Sequence, residues 1–308
     1  MQAQIYQDAV AQIDYTPTVD RSGGDIVLLP DGRVGVVKGS GLKAGELGAV
    51  YTKGVFTINK AAGITLLEGQ QAWWDKASAW ASYTGGFPIG MVVYGDAIST
   101  DDQVIVEINA EARPIIEQGK GVWAREATDG LGVTDEDGVV KLAFDDVAEL
   151  AQAAYVSDKT VDADDKPIFE AWVGVFDQGD DVALDMNVGL ASASHATDFD
   201  AITAFAAIHL DGNSLRIRPQ SDDDATDVAP FDSTIDAVLG TYFFLQIDAR
   251  NKDDVKFYIN GVLVANQNPF VLTNYAGGLA AIAHIEKGNN DTAADVRLHG
   301  LKVRTGLS

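Results

Sequence analysis

Short runs of β-branched and aromatic residues recur along almost the whole chain, separated by Gly, Asn or Asp. Runs of this kind with turn residues between them are typical of β-strands, whereas a helix needs apolar positions every three or four residues over a longer stretch. That helical spacing is nearly absent. The pattern therefore predicts an all-β protein, with strands at residues 25–29, 33–38, 47–51, 55–59, 64–66, 72–74, 89–94, 103–108, 139–144, 169–176, 183–190, 204–210, 214–218, 241–249, 255–259, 262–265, 279–285 and 296–304.

Three local patterns refine this prediction. Asn260-Gly261 separates two apolar runs, and this dipeptide supplies the two positive φ angles of a type I′ hairpin turn. Residues 77–82 predict a short helix. Residues 145–155 place Val147, Leu150 and Ala154 on one helical face, yet they read equally well as a strand.

The strand pattern lapses around residues 111–120, in the stretch EARPIIEQGK. We interpret residues 113–120 as a linker between two domains, residues 1–112 and residues 121–308. The short, evenly spaced strands of the first domain predict a compact barrel or sandwich.

Charge and composition exclude several classes of function. The net charge is -24 and no basic cluster stands out, which argues against binding to nucleic acid. There is no cysteine, so disulfides and thiolate metal sites are excluded. No apolar run reaches the length of a membrane span and no leader pattern is present at the start, so we expect a soluble protein made in the cytoplasm.

The segment Gly39-Ser40-Gly41-Leu42-Lys43-Ala44 matches the glycine pattern of a dinucleotide-binding turn. Such a turn must open a helix whose amides face the pyrophosphate. Here Gly45 and Gly48 follow, and then a strand-like run. We interpret the segment as a glycine-rich turn between strands.

The acidic residues occur in consecutive clusters in turn-like surroundings, which indicates solvated loops. Asp222, Asp224 and Asp227 form a weak candidate for a calcium site, because carboxylate oxygens suit this ion; no other cofactor is expected. The alternating E-x-D-x-E strand of retaining glucanases is absent. His209 and His284 lie within apolar runs, where a buried or strand-face histidine is the simpler interpretation.

Aromatic residues cluster at Trp73, Trp74, Trp80 and Tyr83. Adjacent Trp73 and Trp74 must point to opposite faces of a strand, so one is expected in the core and the other at the surface or in an interface. Sugar stacking is the alternative role.

Residues 1–110 resemble the capsid decoration (cement, or head-stabilising) proteins of tailed bacteriophages. The resemblance rests on residues 5–7, 13–17, 24–27, 33–36, 44–48, 54–56 and 89–90 in that order. It implies a small barrel or β-tulip domain that sits as a homotrimer on the capsid, clamps the major capsid protein and is not an enzyme. An N-terminal arm would then contact the capsid or a neighbouring subunit, and the candidate contact residues are Ile5, Tyr6, Ile13, Tyr15, Pro17, Trp73 and Trp74.

The second half resembles a concanavalin A-like (laminin G-like) jelly-roll sandwich, through residues 241–248, 255–265 and 296–303. These resemblances together imply a structural virion protein on the outer capsid surface, with an outward-facing sandwich as a candidate binder of cell-surface or environmental polysaccharide. A lectin-like protein of the phage tail or fibre is the alternative. A divergent glycoside hydrolase is a more remote one.

Overall fold

A computed structural model describes residues 2–7, 11–111, 114–129 and 131–305 of the chain. The chain divides into two compact units, residues 1–113 and residues 114–306. In the described residues the regular structure is strand, apart from single 3₁₀ turns at Ala163–Asp165 and Phe199–Ala201. The all-β prediction is confirmed. No helix in these residues has the length and hydropathy to cross a membrane.

The N-terminal unit forms short strands because its apolar runs are short and end at turn residues. In its described residues the strands are β1 (Ala3–Ile5), β2 (Ala11–Tyr15), β3 (Arg21–Ser22), β4 (Ile26–Leu28), β5 (Val34–Val37), β6 (Gly41–Leu42), β7 (Gly48–Lys53), β8 (Val55–Asn59), β9 (Gln71–Asp75), β10 (Trp80–Ser82), β11 (Phe87–Val92) and β12 (Gln103–Ile108).

Six of these strands form one antiparallel sheet in the order β1-β8-β12-β11-β9-β10. The sheet curls so that β10, at one end, comes beside the segment that follows β8. Lys60 of that segment bridges Ala81 of β10, and the Ala61 amide donates to the Ala81 carbonyl at 2.9 Å. The interior holds fully buried side chains that include Phe56, Leu66 and Trp74. The small barrel is therefore present.

The N-terminal segments are paired strands, which differs from the extended arm that the sequence suggested. β1 pairs with β8, and β2 pairs with β7 at the edge of a second sheet of order β2-β7-β5-β4. Pairing satisfies backbone groups that a free arm would leave to solvent.

The glycine-rich segment turns the chain between strands. Gly39 and Gly41 have φ of 71° and 118°, and a Cβ on Gly41 would lie 2.4 Å from the Arg21 carbonyl oxygen. Within the segment, Gly41–Leu42 form the short strand β6, and the next element is strand β7 rather than a helix. The interpretation as a turn between strands is confirmed.

The C-terminal unit has longer strands. In its described residues they are β13 (Ile116–Glu117), β14 (Trp123–Ala127), β15 (Gly132–Glu136), β16 (Val139–Phe144), β17 (Glu149–Asp162), β18 (Pro167–Asp177), β19 (Leu184–Ala191), β20 (Ala204–Asp211), β21 (Arg218–Asp223), β22 (Asp227–Val228), β23 (Tyr242–Asp248), β24 (Lys256–Ile259), β25 (Val262–Val264), β26 (Gly278–Asn290) and β27 (Ala294–Thr305).

These strands form two antiparallel sheets packed face to face. One has the order β15-β16-β27-β18-β23-β24-β25, with β13 added beside β27, and the other has the order β14-β17-β26-β19-β20-β21-β22. Alternate residues such as Phe169 and Leu245 from the first sheet and Met186 and Ile285 from the second form one buried core. This is the predicted sandwich.

The helix predicted at residues 77–82 and the linker predicted at residues 113–120 differ from the structure, and the alternative left open for residues 145–155 is decided as a strand. Residues 77–79 form a turn before β10, and residues 149–155 belong to β17, where pairing with β26 outweighs the helical spacing. Within the expected linker, Ile116 is buried and β13 pairs with β27, because an apolar side chain there completes the core. The hairpin is confirmed, with φ of 52° at Asn260 and 76° at Gly261.

Candidate functional site

The outer face of the seven-stranded sheet carries a compact group of polar side chains. On three neighbouring strands, β20, β19 and β26, alternate positions point away from the sandwich core, while residues between them, such as Met186 and Leu210, fill it. We call the outward set the polar array, and it consists of Asp185, Asn187, His209, Asp211, His284 and Glu286.

Strand register brings the array together. Asp185 lies opposite Asp211 on one side and Glu286 on the other. Asn187 lies opposite His209 and His284 in the same way. Side chains directly opposite on one face of a sheet lie within contact distance, so the array is a continuous patch.

Residues 192–203 cover part of this sheet face, and we call them the roof segment. Phe199 and Ile202 are buried against Phe205 and Ile282 of the sheet. The Phe199 amide donates to Glu286 Oε2 at 2.8 Å. The roof segment therefore binds one carboxyl group of the array directly.

His209 is 5% exposed and sits at the centre of a hydrogen-bonded group. Its Nδ1 lies 3.1 Å from Asn187 Oδ1, which also accepts a bond from Gln220 Nε2 at 2.8 Å. Its Nε2 lies 2.8 Å from Asp211 Oδ1 and 3.8 Å from Asp185 Oδ1. Burial lowers the pKa of His209 and raises the pKa of Asp185.

His284 and Glu286 form a second pair. The His284 Nε2 lies 3.0 Å from the His195 carbonyl oxygen, so this nitrogen carries the proton, and Nδ1 faces Glu286 Oε2 at 3.4 Å. Burial lowers the pKa of His284 to about 4, and burial followed by the charge of Asp185 raises the pKa of Glu286 to about 8. At neutral pH the pair is a neutral imidazole beside a protonated carboxyl.

Two buried amides of this face have no hydrogen-bond partner on their nitrogen. They are Gln152, which lies opposite Glu286 in the register of β17 and β26, and Asn187. Their side chains are 2% and 1% exposed. Buried unsatisfied donors are rare in folded proteins, and they mark this face as a candidate binding site.

Among the described residues, the calcium candidate of Asp222, Asp224 and Asp227 is not one of the groups whose ligand atoms lie close enough to share an ion. Asp222 accepts a bond from the Asp224 amide at 2.8 Å, which closes a local turn, and Asp227 lies across the strand pair from Asp222. Among the described residues, the group of acidic and histidine side chains close enough to share an ion is instead Asp185, His209 and Asp211. The signal in the sequence was the alternation of polar residues within apolar strands, at positions 185–187, 209–211 and 284–286.

The candidate contact residues of the N-terminal unit separate into exposed and buried sets. Ile5 and Tyr6 are 44% and 50% exposed, and the Tyr6 ring lies 5.4 Å from the ring of Tyr94, which the sequence analysis missed. We call these three residues the tyrosine patch. Tyr94 lies after the end of β11, where no periodic pattern of the sequence marks it as a surface residue. Its position beside Tyr6 is visible only in the fold.

The other candidates pack inside the unit to varying degrees. Trp74 is 2% exposed in the barrel core and Pro17 is also buried, so neither can contact a partner. Trp73 is half-buried, which confirms that the two tryptophans face opposite ways. Ile13 and Tyr15 pack against a small core of the second sheet.

One part of the chain matches a known protein family. Residues 6–108 match the phage cement protein family. After this match we call residues 6–108 the cement unit; it includes strands β2 to β12 and, of the tyrosine patch, Tyr6 and Tyr94. No curated protein matches the chain.

Solved structures similar to this chain align over about three fifths of it. They include the carbohydrate recognition domain of Emp47p (11% identity, TM-score 0.42, covering 61% of this chain and 92% of that one). A carbohydrate-binding module of family 66 from Bacillus subtilis has 12% identity and a TM-score of 0.41, covering 61% and 98%. A laminarinase from Flavobacterium sp. UMI-01 has 14% identity and a TM-score of 0.46, covering 63% and 100%.

Outside the cement unit, the outer face of the eight-stranded sheet carries half-buried aromatic rings. Trp172 stacks on His299 with ring centroids 5.8 Å apart, and His299 meets Tyr242 edge-on at 4.7 Å. The Arg297 guanidinium lies 4.0 Å above the ring of Phe176. We call these five residues the aromatic face.

Proposed function

We propose that this chain is a structural protein of a phage virion whose cement unit binds the outer surface of the capsid and stabilises it. The family match over residues 6–108 is the observation that carries the proposal. The partner is the major capsid protein, and the sandwich unit faces outward. The protein is made in the cytoplasm of the bacterial host and ends on the particle.

Two exposed apolar surfaces of the cement unit support this function. The first is the tyrosine patch. The second lies on adjoining loops, where Val19 and Leu47 are 51% and 69% exposed. The Gly45 amide donates to the Pro17 carbonyl at 2.8 Å, which holds these loops together. Aromatic and aliphatic side chains of this kind are typical anchors at the centre of protein interfaces.

The proposal includes a homotrimer. A single small domain offers little area for contact with a capsid, and a stable interface needs roughly 1,200–2,000 Å² in total. Three linked copies bind with an avidity that exceeds that of one copy. Light scattering of the purified protein at the concentration used for capsid binding measures this directly, and a monomer there contradicts the trimer.

The test is rebinding of the full chain to capsids stripped of it. We expect the wild-type chain to sediment with capsids and to raise their melting temperature. Replacing both tyrosines of the patch, Tyr6→Ser and Tyr94→Ser, should weaken binding at least about tenfold, since exposed aromatic anchors contribute most of the energy at such contacts. Val182→Ser, on an exposed valine of the sandwich, is the matched control. A wild-type chain that does not bind capsids contradicts the proposal.

The aromatic face favours a second role, glycan binding by the sandwich. Half-exposed aromatic rings with polar edges suit contact with sugar rings. On a capsid protein this role supplies adhesion to polysaccharide, whereas on a tail or fibre it would make the chain a lectin-like protein. A reconstruction of the particle distinguishes the two, because the capsid surface carries many copies and the tail few.

The array does not favour a glycoside hydrolase. Asp185 and Glu286 lie opposite each other, as a carboxylate pair would require. However, Glu286 is 7% exposed and bound by the roof segment, so a substrate cannot reach it in this arrangement. We therefore propose a non-enzymatic protein.

A further inference from the structure

In the buried group around His209, several hydrogen-bond acceptor atoms face one another without a donor between them. Asn187 Oδ1 accepts a hydrogen bond from Gln220 Nε2. The Gln220 side-chain amide also donates a hydrogen bond to the carboxyl group of Asp200. These contacts orient the two amides so that the Asn187 oxygen faces His209 Nδ1. Nδ1 must then donate, and in a neutral imidazole Nε2 is left with a bare lone pair.

That lone pair faces two carboxylates. Asp211 Oδ1 is 2.8 Å from His209 Nε2, and Asp185 Oδ1 is 3.8 Å from it. Three acceptor atoms therefore converge with no donor among them. A cation bound between them would satisfy all three acceptor atoms.

We propose that Asp185, His209 and Asp211 bind a divalent first-row transition metal ion. The three ligand atoms lie within 4.8 Å of one another. Metal–ligand distances of roughly 2.0–2.2 Å place the ligands of one ion about 3–4.4 Å apart, so small side-chain movements suffice. One imidazole nitrogen with two carboxylate oxygens suits Zn²⁺ or Mn²⁺ better than Ca²⁺, which takes six to eight oxygen ligands.

The surroundings have the features of a metal site beyond the ligands. Asn187 Oδ1 fixes the tautomer of His209, and Arg218 Nη1 pairs with Asp211 Oδ2, which leaves Oδ1 free to bind the ion. The side chains of Asp185 and Asp211 are 30% and 25% exposed, so an ion can reach them from solvent. Asp200 adds a further negative charge near His209.

The test uses the full chain, treated with a chelator and desalted, and Zn²⁺ as the probe. Titration calorimetry should show one ion per chain, and X-ray absorption at the zinc edge should show one imidazole among oxygen ligands. Asp185→Asn and Asp211→Asn keep the side-chain shape and should weaken binding at least about tenfold. Circular dichroism and a melting curve verify that each variant is folded.

Asp222→Asn is the matched control, since this carboxylate lies on neighbouring strand β21 outside the group; it should leave Zn²⁺ binding unchanged. Calcium at the same concentration should bind more weakly. Three results would each overturn the proposal: no binding up to about 1 mM Zn²⁺, equal binding by the wild-type chain and both aspartate variants, or an absorption spectrum without imidazole.

Discussion

Two buried glutamates of the sandwich have opposite protonation at neutral pH, and their neighbours explain why. Burial disfavours the charged form of both side chains. Lys302 and Arg304 outweigh this effect at Glu170 and hold its pKa at about 2. Glu286 has no such cation and lies near Asp185, so its pKa rises to about 8. Residue type alone does not determine charge in this protein.

Glu286 gives a pH-dependent prediction. The unfolded carboxyl protonates near 4.5 and the folded one near 8, so the folded state binds more protons between these values. The contribution of Glu286 to stability is therefore present at low pH and is lost as pH rises through about 8. The Glu286→Gln variant has no carboxyl group to ionise, so it does not undergo this loss of stability. The difference between its melting temperature and that of the wild type (variant minus wild type) should therefore increase from pH 5 to pH 8.

Glu170→Gln is the control, because the pKa of Glu170 is shifted in the opposite direction and its contribution to stability should change with pH in the opposite sense. Its folded pKa is depressed, so the wild-type contribution is present above pH 4.5 and is lost as pH falls toward 2. This variant also leaves Lys302 and Arg304 without their carboxylate and should lose about 3–5 kcal/mol of stability at pH 7. A difference between Glu286→Gln and wild type that does not change with pH would contradict the raised pKa.

At the scale of secondary-structure elements, the distance between neighbouring strands decides whether a glycine can be replaced by a residue with a side chain. Gly189 of β19 lies so near β20 that a Cβ would be 2.2 Å from the Ala206 carbonyl oxygen. A Cβ on Gly288 of β26 would have no atom nearer than 3.6 Å. Neither has a positive φ, so the contrast is one of space alone.

We expect Gly189→Ala to lower the free energy of unfolding by about 1–3 kcal/mol, because the backbone of β20 must move. Gly288→Ala should change it by less than about 0.5 kcal/mol. Urea unfolding of both variants measures the difference. Equal stability of the two would show that β19 and β20 are not packed as described.

At the scale of the whole molecule, the net charge of -24 dominates the long-range electrostatic interactions. Like charges on a compact chain repel, and this repulsion lowers the stability of the folded state. Surface ion pairs such as Lys43 with Asp20 are exposed and contribute little in return.

Salt should therefore stabilise the protein. Raising ionic strength from about 0.01 M to 0.15 M shortens the screening length from about 30 Å to 8 Å, which weakens repulsion across the surface. We expect the melting temperature at pH 7 to rise over this range, and to rise less near pH 5, closer to the isoelectric point of about 4.3. A melting temperature that falls with salt at pH 7 would show that attractive pairs dominate.

The sequence by itself determined features that depend on neighbouring residues along the chain. Strands at residues 55–59, 103–108 and 139–144 have the predicted bounds, and the Asn260-Gly261 turn is where its φ preference places it. Alternation also predicted that Trp73 and Trp74 face opposite ways. These outcomes follow from side-chain period and turn chemistry, which are local.

Only the tertiary structure decided which strands are neighbours. Alternation shows which residues of β19, β20 and β26 share a face, but not that these strands lie side by side with Asp185 opposite Asp211 and Glu286. The pattern of residues 145–155 fits a helix and a strand equally well, and pairing with β26 decided the strand. Long-range pairing and register set these contacts, and a single sequence carries no local signal for either.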